Sequence, residues 1–185
     1  MIENVWKNKN LLVHILKPLS HLYYLIYKVY KIYRSEKYIG IPVICIGNVT
    51  VGGAGKTPTV IEIRKLLEKH VKNIFVLTRG YKGKKNGPLI VDKNSTFDEV
   101  GDESLIHSEF GLTCVAKNKV QGAKYCEQQG SKLIIMDDGL QSIDVFKDFR
   151  ILVIDENYGF GNGNLFPSGP LREPIDNCIN RSNIV

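Results

Sequence analysis

Thr50-Val51-Gly52-Gly53-Ala54-Gly55-Lys56-Thr57 lies between an apolar run, Ile41 to Ile46, and a predicted helix, Thr59 to Lys69. A strand, a glycine-rich turn and Lys-Thr opening a helix is the arrangement of a phosphate-binding P-loop. Gly52, Gly53 and Gly55 allow close backbone approach to phosphate oxygens and dihedrals that a Cβ would forbid. The helix start directs free N–H groups and a positive dipole end at the anion. Lys56 adds a full charge for the β/γ-phosphates, and the Thr57 hydroxyl is placed for Mg²⁺. The strict pattern has glycine where Thr50 stands. A glycine-rich hairpin is the competing account of the glycines. It leaves Lys-Thr after a buried strand and before a helix to chance.

At 185 residues the chain is long enough for one α/β domain with a real core. Cys45, Cys114, Cys126 and Cys178 form no C-x-x-C pair, which argues against a zinc site or disulfide framework and for a reducing cytosol. The net charge is +6. Most of it resides in residues 1–40, where Lys7, Lys9, Lys17, Lys28, Lys31, Arg34 and Lys37 face Glu3 and Glu36. The near-neutral remainder argues against a broadly basic nucleic-acid surface.

Leu11 to Tyr33 is rich in Leu, Ile, Val and Tyr, with Lys17, Lys28 and Lys31 interrupting. Its longest uncharged stretch, Pro18 to Tyr27, is too short to span a bilayer, and no signal-peptide cleavage site follows. Leu22, Ile26 and Val29 recur at helical spacing, and Pro18 is expected to start or kink the helix. Two fates compete: apolar side down on the sheet, or apolar face in a membrane interface with lysines toward anionic headgroups. The tyrosines and the local charge favour the membrane.

Downstream, strands are predicted at Asn73 to Thr78, Leu112 to Ala116, Lys132 to Met136 and Arg150 to Ile154. Helices are predicted at Val100 to Phe110 and Asn118 to Gln129. Such alternation implies an α/β fold, a P-loop NTPase-like, mainly parallel sheet flanked by helices, with the amphipathic N-terminal helix ahead of it. The expected units are 1–38 (basic amphipathic helix), 39–175 (P-loop domain) and 176–185 (polar tail). Ligands in such folds sit at the carboxyl ends of strands, where the P-loop, Arg79, Asp137 and Asp155 all fall.

Leu133-Ile134-Ile135-Met136 before Asp137-Asp138 resembles a Walker B strand, which carries a carboxylate to the metal beside a nucleotide. Turn chemistry is the alternative for Asp-Asp-Gly. Gly101-Asp102-Glu103 opens a helix, so Asp102 is an N-cap on the bland view and a general base or metal ligand on the sharp one. The loop Gly161 to Pro174 is glycine- and proline-rich, and of a length that is usually functional or disordered; its Arg172 would offer a charged fork to phosphate.

Together, Gly47 to Pro58, Thr78-Arg79-Gly80-Tyr81, Val100 to Glu103, Asp137-Asp138-Gly139-Leu140-Gln141 and Gly161 to Pro174 resemble the tetraacyldisaccharide 4′-kinase family. The resemblance spans about residue 11 to 175. It implies transfer of the ATP γ-phosphate to the 4′-hydroxyl of a tetraacyldisaccharide 1-phosphate in lipid A (lipopolysaccharide) biosynthesis, by a peripheral protein at the cytoplasmic face of the inner membrane. By that resemblance Val51, Gly52, Gly53, Ala54, Gly55, Lys56, Thr57 and Pro58 bind the nucleotide. Asp102 is the catalytic base. Thr57, Glu103, Asp137 and Asp138 hold Mg²⁺. Arg79, Gln141 and Arg172 face substrate and phosphate. The N-terminal helix would dock on the membrane, and no nucleic acid is expected.

The chain departs from the family pattern at Ser142 and Asn164, where His and Arg are common, and no histidine follows His107. A truncated member lacking much of a C-terminal lobe is therefore expected, whose nucleotide binding outlasts its catalysis. Two alternatives remain: a non-catalytic nucleotide binder, and a GTPase or metallochaperone reading guanine through Asn118-Lys119-Val120-Gln121.

Overall fold

A computed structural model describes Trp6 and residues 11–185. Lys7, Lys9 and Glu3, which contribute to the N-terminal charge, lie outside the described residues. The chain forms helix α1 (Leu11–Ile32), strand β1 (Val43–Gly47), α2 (Lys56–Glu68), β2 (Ile74–Thr78), β3 (Leu89–Ile90), α3 (Phe97–Val100) and α4 (Asp102–Glu109). It continues through β4 (Thr113–Val115), α5 (Lys119–Gln128), β5 (Leu133–Asp137), β6 (Phe149–Leu152) and α6 (Ile175–Asn180). The strands make one sheet in the order β3-β4-β2-β5-β1-β6. Among the described strands only β3 runs antiparallel, against β4. The mainly parallel α/β fold is thus borne out.

The near-continuous apolar runs of β1, β2 and β5 follow from burial on both faces. Alternate side chains enter opposite layers. Val43, Cys45, Phe75, Leu77, Ile134 and Met136 join one core with Ala123 and Cys126 of α5 and with Leu140, Leu171 and Cys178. Ile46, Ile74, Val76, Leu133 and Ile135 join the other, under Val60, Ile63 and Leu67 of α2. Each fully buried aliphatic side chain contributes roughly 1.5–3 kcal/mol. The sheet's outer edge at β6 is covered by the chain itself: Asn183 N–H donates to Arg150 O at 2.8 Å and Leu152 N–H to Ile184 O at 2.9 Å.

Several local expectations change. Pro18 lies inside α1 and does not start it, which leaves of the two expectations only the kink. The single helix expected over Val100 to Phe110 is two, α3 and α4, because Gly101 adopts φ 81 and ψ 159, which no helix continues through. Strand β3 carried no sequence signal, and residues 175–180 of the chain's last stretch are helical, with Cys178 fully buried.

Helix α1 does not lay its apolar stripe on the sheet. Ser20 is buried instead; its hydroxyl donates to Leu165 O at 2.9 Å and lies 2.8 Å from the Ser168 hydroxyl. Tyr23 donates to Arg172 O at 2.9 Å and Trp6 Nε1 to Pro167 O at 3.1 Å. The rings of Trp6 and Tyr23 meet Phe166 edge-on. The opposite face, Ile15, Leu19, Leu22, Ile26 and Val29, is 45–63% exposed, and Tyr33, just past the helix end, is 84% exposed.

Candidate active site

The carboxyl ends of β1, β2 and β5 open into a cleft of about 1000 Å³. Residues 51–58, Arg79, Glu103, Asp137, Asp138, Gln141 and Arg172 all line it. Asp102 is not among the lining residues. It stands exposed in the first turn of α4, its Oδ1 accepting the Glu103 N–H at 3.0 Å. Asp155 caps a turn, accepting from Asn157 N and Tyr158 N, and is likewise outside the cleft lining.

The P-loop is built as its sequence implies, with two refinements. Gly55, at the N-cap of α2, has φ 76, a left-handed conformation that favours glycine. Gly52 has φ 119, but Gly53 is outside the positive-φ region, so its lack of a Cβ serves space and not backbone conformation. Thr50 replaces the first glycine of the strict motif because the chain is extended there. It bridges Leu171 in antiparallel fashion, and its buried hydroxyl accepts from Asn48 Nδ2 at 3.2 Å. The loop is held from outside by Val51 N–H to Pro170 O, 2.7 Å, and Arg172 N–H to Val49 O, 2.8 Å. Lys56 Nζ rests on Asn48 Oδ1 at 3.3 Å.

The two aspartates after β5 diverge. Asp137 is buried, and its Oδ2 lies 2.8 Å from His107 Nε2 of α4. Its Oδ1, buried too, has no hydrogen-bond partner. Asp138, at φ 54, leaves the strand direction and takes Arg172 Nη1 at 3.0 and 3.1 Å. Burial pushes the Asp138 carboxyl up, but Arg172, Lys56 and Lys119 together outweigh it and hold it below the ordinary carboxylate range. Glu103 shifts the other way: burial first, then the negative charge of Asp137, raises its carboxyl against the opposing pull of Lys56.

Lys119, Asn48, His107 and Glu173 were not singled out by sequence for these places. Lys119 Nζ donates to the Asp138 carbonyl at 2.5 Å, and burial lowers its ammonium despite the nearby Cys45, Asp138 and Asp137. Its neighbour Asn118 caps α5, its Oδ1 accepting the Gln121 N–H at 3.1 Å. The Asn-Lys pair is therefore spent on a helix cap and the cleft wall, and the guanine-reading alternative loses its motif. Glu173 is fully buried and takes hydrogen bonds from Tyr27, Gln141 and Arg181.

A phosphate loop on β1, a neighbouring strand ending in carboxylates and several cations at one sheet end define a P-loop nucleotide-binding fold. Residues 12–185 match the family model described as LpxK, tetraacyldisaccharide-1-P 4′-kinase, and the chain belongs to that family. It is 41% identical over 174 residues to the tetraacyldisaccharide 4′-kinase of Parvibaculum lavamentivorans, covering 94% of this chain and 51% of that protein. It is 44% identical over 171 residues to that of Dinoroseobacter shibae, covering 92% and 51%. A crystal structure of LpxK from Aquifex aeolicus in complex with ATP superposes with a TM-score of 0.82 at 30% identity, over 94% of this chain and 58% of that one. The chain thus spans about half the length of the curated relatives it matches.

Proposed function

We propose that this chain binds ATP with Mg²⁺ and directs its γ-phosphate to the 4′-hydroxyl of a tetraacyldisaccharide 1-phosphate in lipid A biosynthesis. One observation carries the acceptor class. The phosphate cleft extends to Tyr30 and Arg34, on and just beyond α1, the helix that exposes the apolar stripe. An acceptor with acyl chains on that stripe would present its sugar to the cleft.

Lys56 and the helix start of α2 hold the nucleotide phosphates. Thr57, Asp137, Asp138 and Glu103 are the residues to hold Mg²⁺. No three His, Cys, Asp or Glu side chains form a ready-made metal cage among the described residues. Mg²⁺ needs few protein ligands beside phosphates and water, and the unpartnered Asp137 Oδ1 is an oxygen suited to it. Bound there, Mg²⁺ would neutralise charge on the transferred phosphoryl group. Arg79 and Arg172 add positive charge at the cleft wall, and Gln141 fixes Arg172 through a 3.4 Å contact. Asp102, exposed beside Glu103, accepts the proton of an acceptor hydroxyl entering from outside. Glu103, whose raised carboxyl sits beside Asp137 and Lys56, serves the phosphate side.

The stripe of α1 lies in the interface of the inner membrane, at its cytoplasmic face, with Lys17 and Lys28 adding about 1 kcal/mol each at an anionic surface. None of the described helices is long and apolar enough to cross a membrane. The test is phosphate transfer from γ-labelled ATP to tetraacyldisaccharide 1-phosphate in anionic vesicles. Labelled lipid product that falls at least 100-fold in Asp102→Ala is expected. Normal ATP binding without product would instead make the chain a non-catalytic nucleotide binder.

A further inference from the structure

A continuous line of hydrogen bonds joins α1 to the P-loop lysine. Tyr27 of α1 donates to Glu173 Oε2 at 2.9 Å, and Lys31 lies 3.9 Å from the same oxygen. Gln141 Nε2 donates to Glu173 Oε1 at 3.1 Å and to the Asn48 carbonyl at 2.8 Å. Both amide hydrogens of Gln141 are thereby used, and its Oε1 faces Arg172 Nη1 at 3.4 Å. A flipped amide would set an oxygen against two acceptors, so the orientation is fixed. Asn48, fully buried, passes the constraint on: its Oδ1 takes Lys56 Nζ, and its Nδ2 donates to Thr50 Oγ1 and, at 3.3 Å, to Gly52 O.

A backbone route runs beside this one. Tyr23 of α1 holds Arg172 O, while Arg172 N–H and Pro170 O hold Val49 and Val51. The strand-like stretch Pro170 to Glu173 is therefore gripped by α1 on one side and by the P-loop on the other. Glu173 is fully buried, and Tyr27, Gln141 and Arg181 share its two oxygens, so its partners act together. Burial first, and then the Glu173 charge, raises the Tyr27 phenol, which keeps it a donor.

From this geometry we propose that Glu173 and Tyr27 are positioning residues through which the seating of α1 on a lipid surface sets the nucleotide affinity of the P-loop. The inference rests on the membrane-docked function proposed above. A surface that favours one seating of α1 fixes Tyr27 against Glu173, and with it Gln141, Asn48 and the Lys56 ammonium. Linkage makes the effect mutual, so bound nucleotide strengthens vesicle binding by the same factor.

The test measures the Kd of this chain for a fluorescent ATP analogue with Mg²⁺, with and without vesicles containing anionic phospholipid. Vesicle retention by sedimentation is followed in parallel. Vesicles are expected to tighten the nucleotide Kd about fivefold or more. Tyr27→Phe removes one hydroxyl and leaves the exposed stripe intact. It should keep vesicle retention and nucleotide binding while the vesicle effect falls below about twofold. Tyr33→Phe, on the exposed face, should keep the whole effect. An undiminished vesicle effect in Tyr27→Phe would overturn the proposal, and so would equal losses in the two variants. If the unaltered chain binds both ligands independently, this inference alone fails. If it binds no vesicles or no nucleotide, the function proposed above fails with it.

Discussion

The P-loop, residues 50–57, and the segment 161–174 run against each other at the cleft, and both are rich in glycine. A Cβ built on Gly53 would meet no atom within 4 Å. One built on Gly169 would lie 2.2 Å from Asn162 Oδ1 and 2.3 Å from the Asn164 backbone oxygen. At Gly53 and Gly55 the first loop keeps its space for something other than protein, whereas at Gly161 and Gly169 the second has filled its space with itself. Similar composition thus conceals two roles, a receptacle and a brace. The brace holds the receptacle in place through Pro170 and Arg172.

Substitution can break this contrast. Gly169→Ala forces a methyl group against the Asn164 backbone as well as the Asn162 side-chain oxygen and should cost about 1–3 kcal/mol of stability, read from the urea midpoint, because the backbone atoms cannot swing aside. An unchanged midpoint would remove the brace from the argument. Gly53→Ala should leave the midpoint unchanged or raise it by about 0.5 kcal/mol. Its nucleotide affinity, measured by titration, should fall about tenfold, which is about 1.4 kcal/mol. A normal affinity there would show that the open space is incidental.

The smallest effect is expected where the two loops meet. Asp138 is held below its ordinary value of 3.8, in part by Arg172. A depressed carboxyl contributes fully above its unfolded pKa and loses that contribution as pH falls through the folded one. The pair is partly exposed, so the contribution is under about 1 kcal/mol. Acid unfolding followed by circular dichroism should begin at a higher pH in Arg172→Ala than in the unaltered chain. Identical acid midpoints would mean that Arg172 braces by its backbone alone.

The receptacle was legible in the sequence and much of the brace was not, for a physical reason. Lys56, Thr57 and the β5 carboxylates act within a few residues of the elements that carry them, so local pattern reveals them. Glu173 has its meaning only where residues 27, 141 and 181 converge on it, and His107 only where α4 brings it to Asp137. Strand β3, two residues long, is defined by its antiparallel partner and not by its own pattern. The apolar recurrence of Leu22, Ile26 and Val29 was readable, but its orientation was not. Phe166, Ser168 and Arg172, far along the chain, occupy the other face of α1 and leave the stripe exposed.

The sheet order has a consequence for biogenesis. Strand β1, which carries the P-loop, pairs with neither of the elements made next. Its partners begin at Ile134 on one side and Phe149 on the other. During synthesis the phosphate loop therefore hangs from an unpaired apolar strand until β5 and β6 have left the ribosome. Pairing at such sequence separation is slow, and the waiting edge is a site of misassociation. In a nascent chain of this kind, nucleotide cannot help the first stages of folding, because its receptacle waits for β5 and β6.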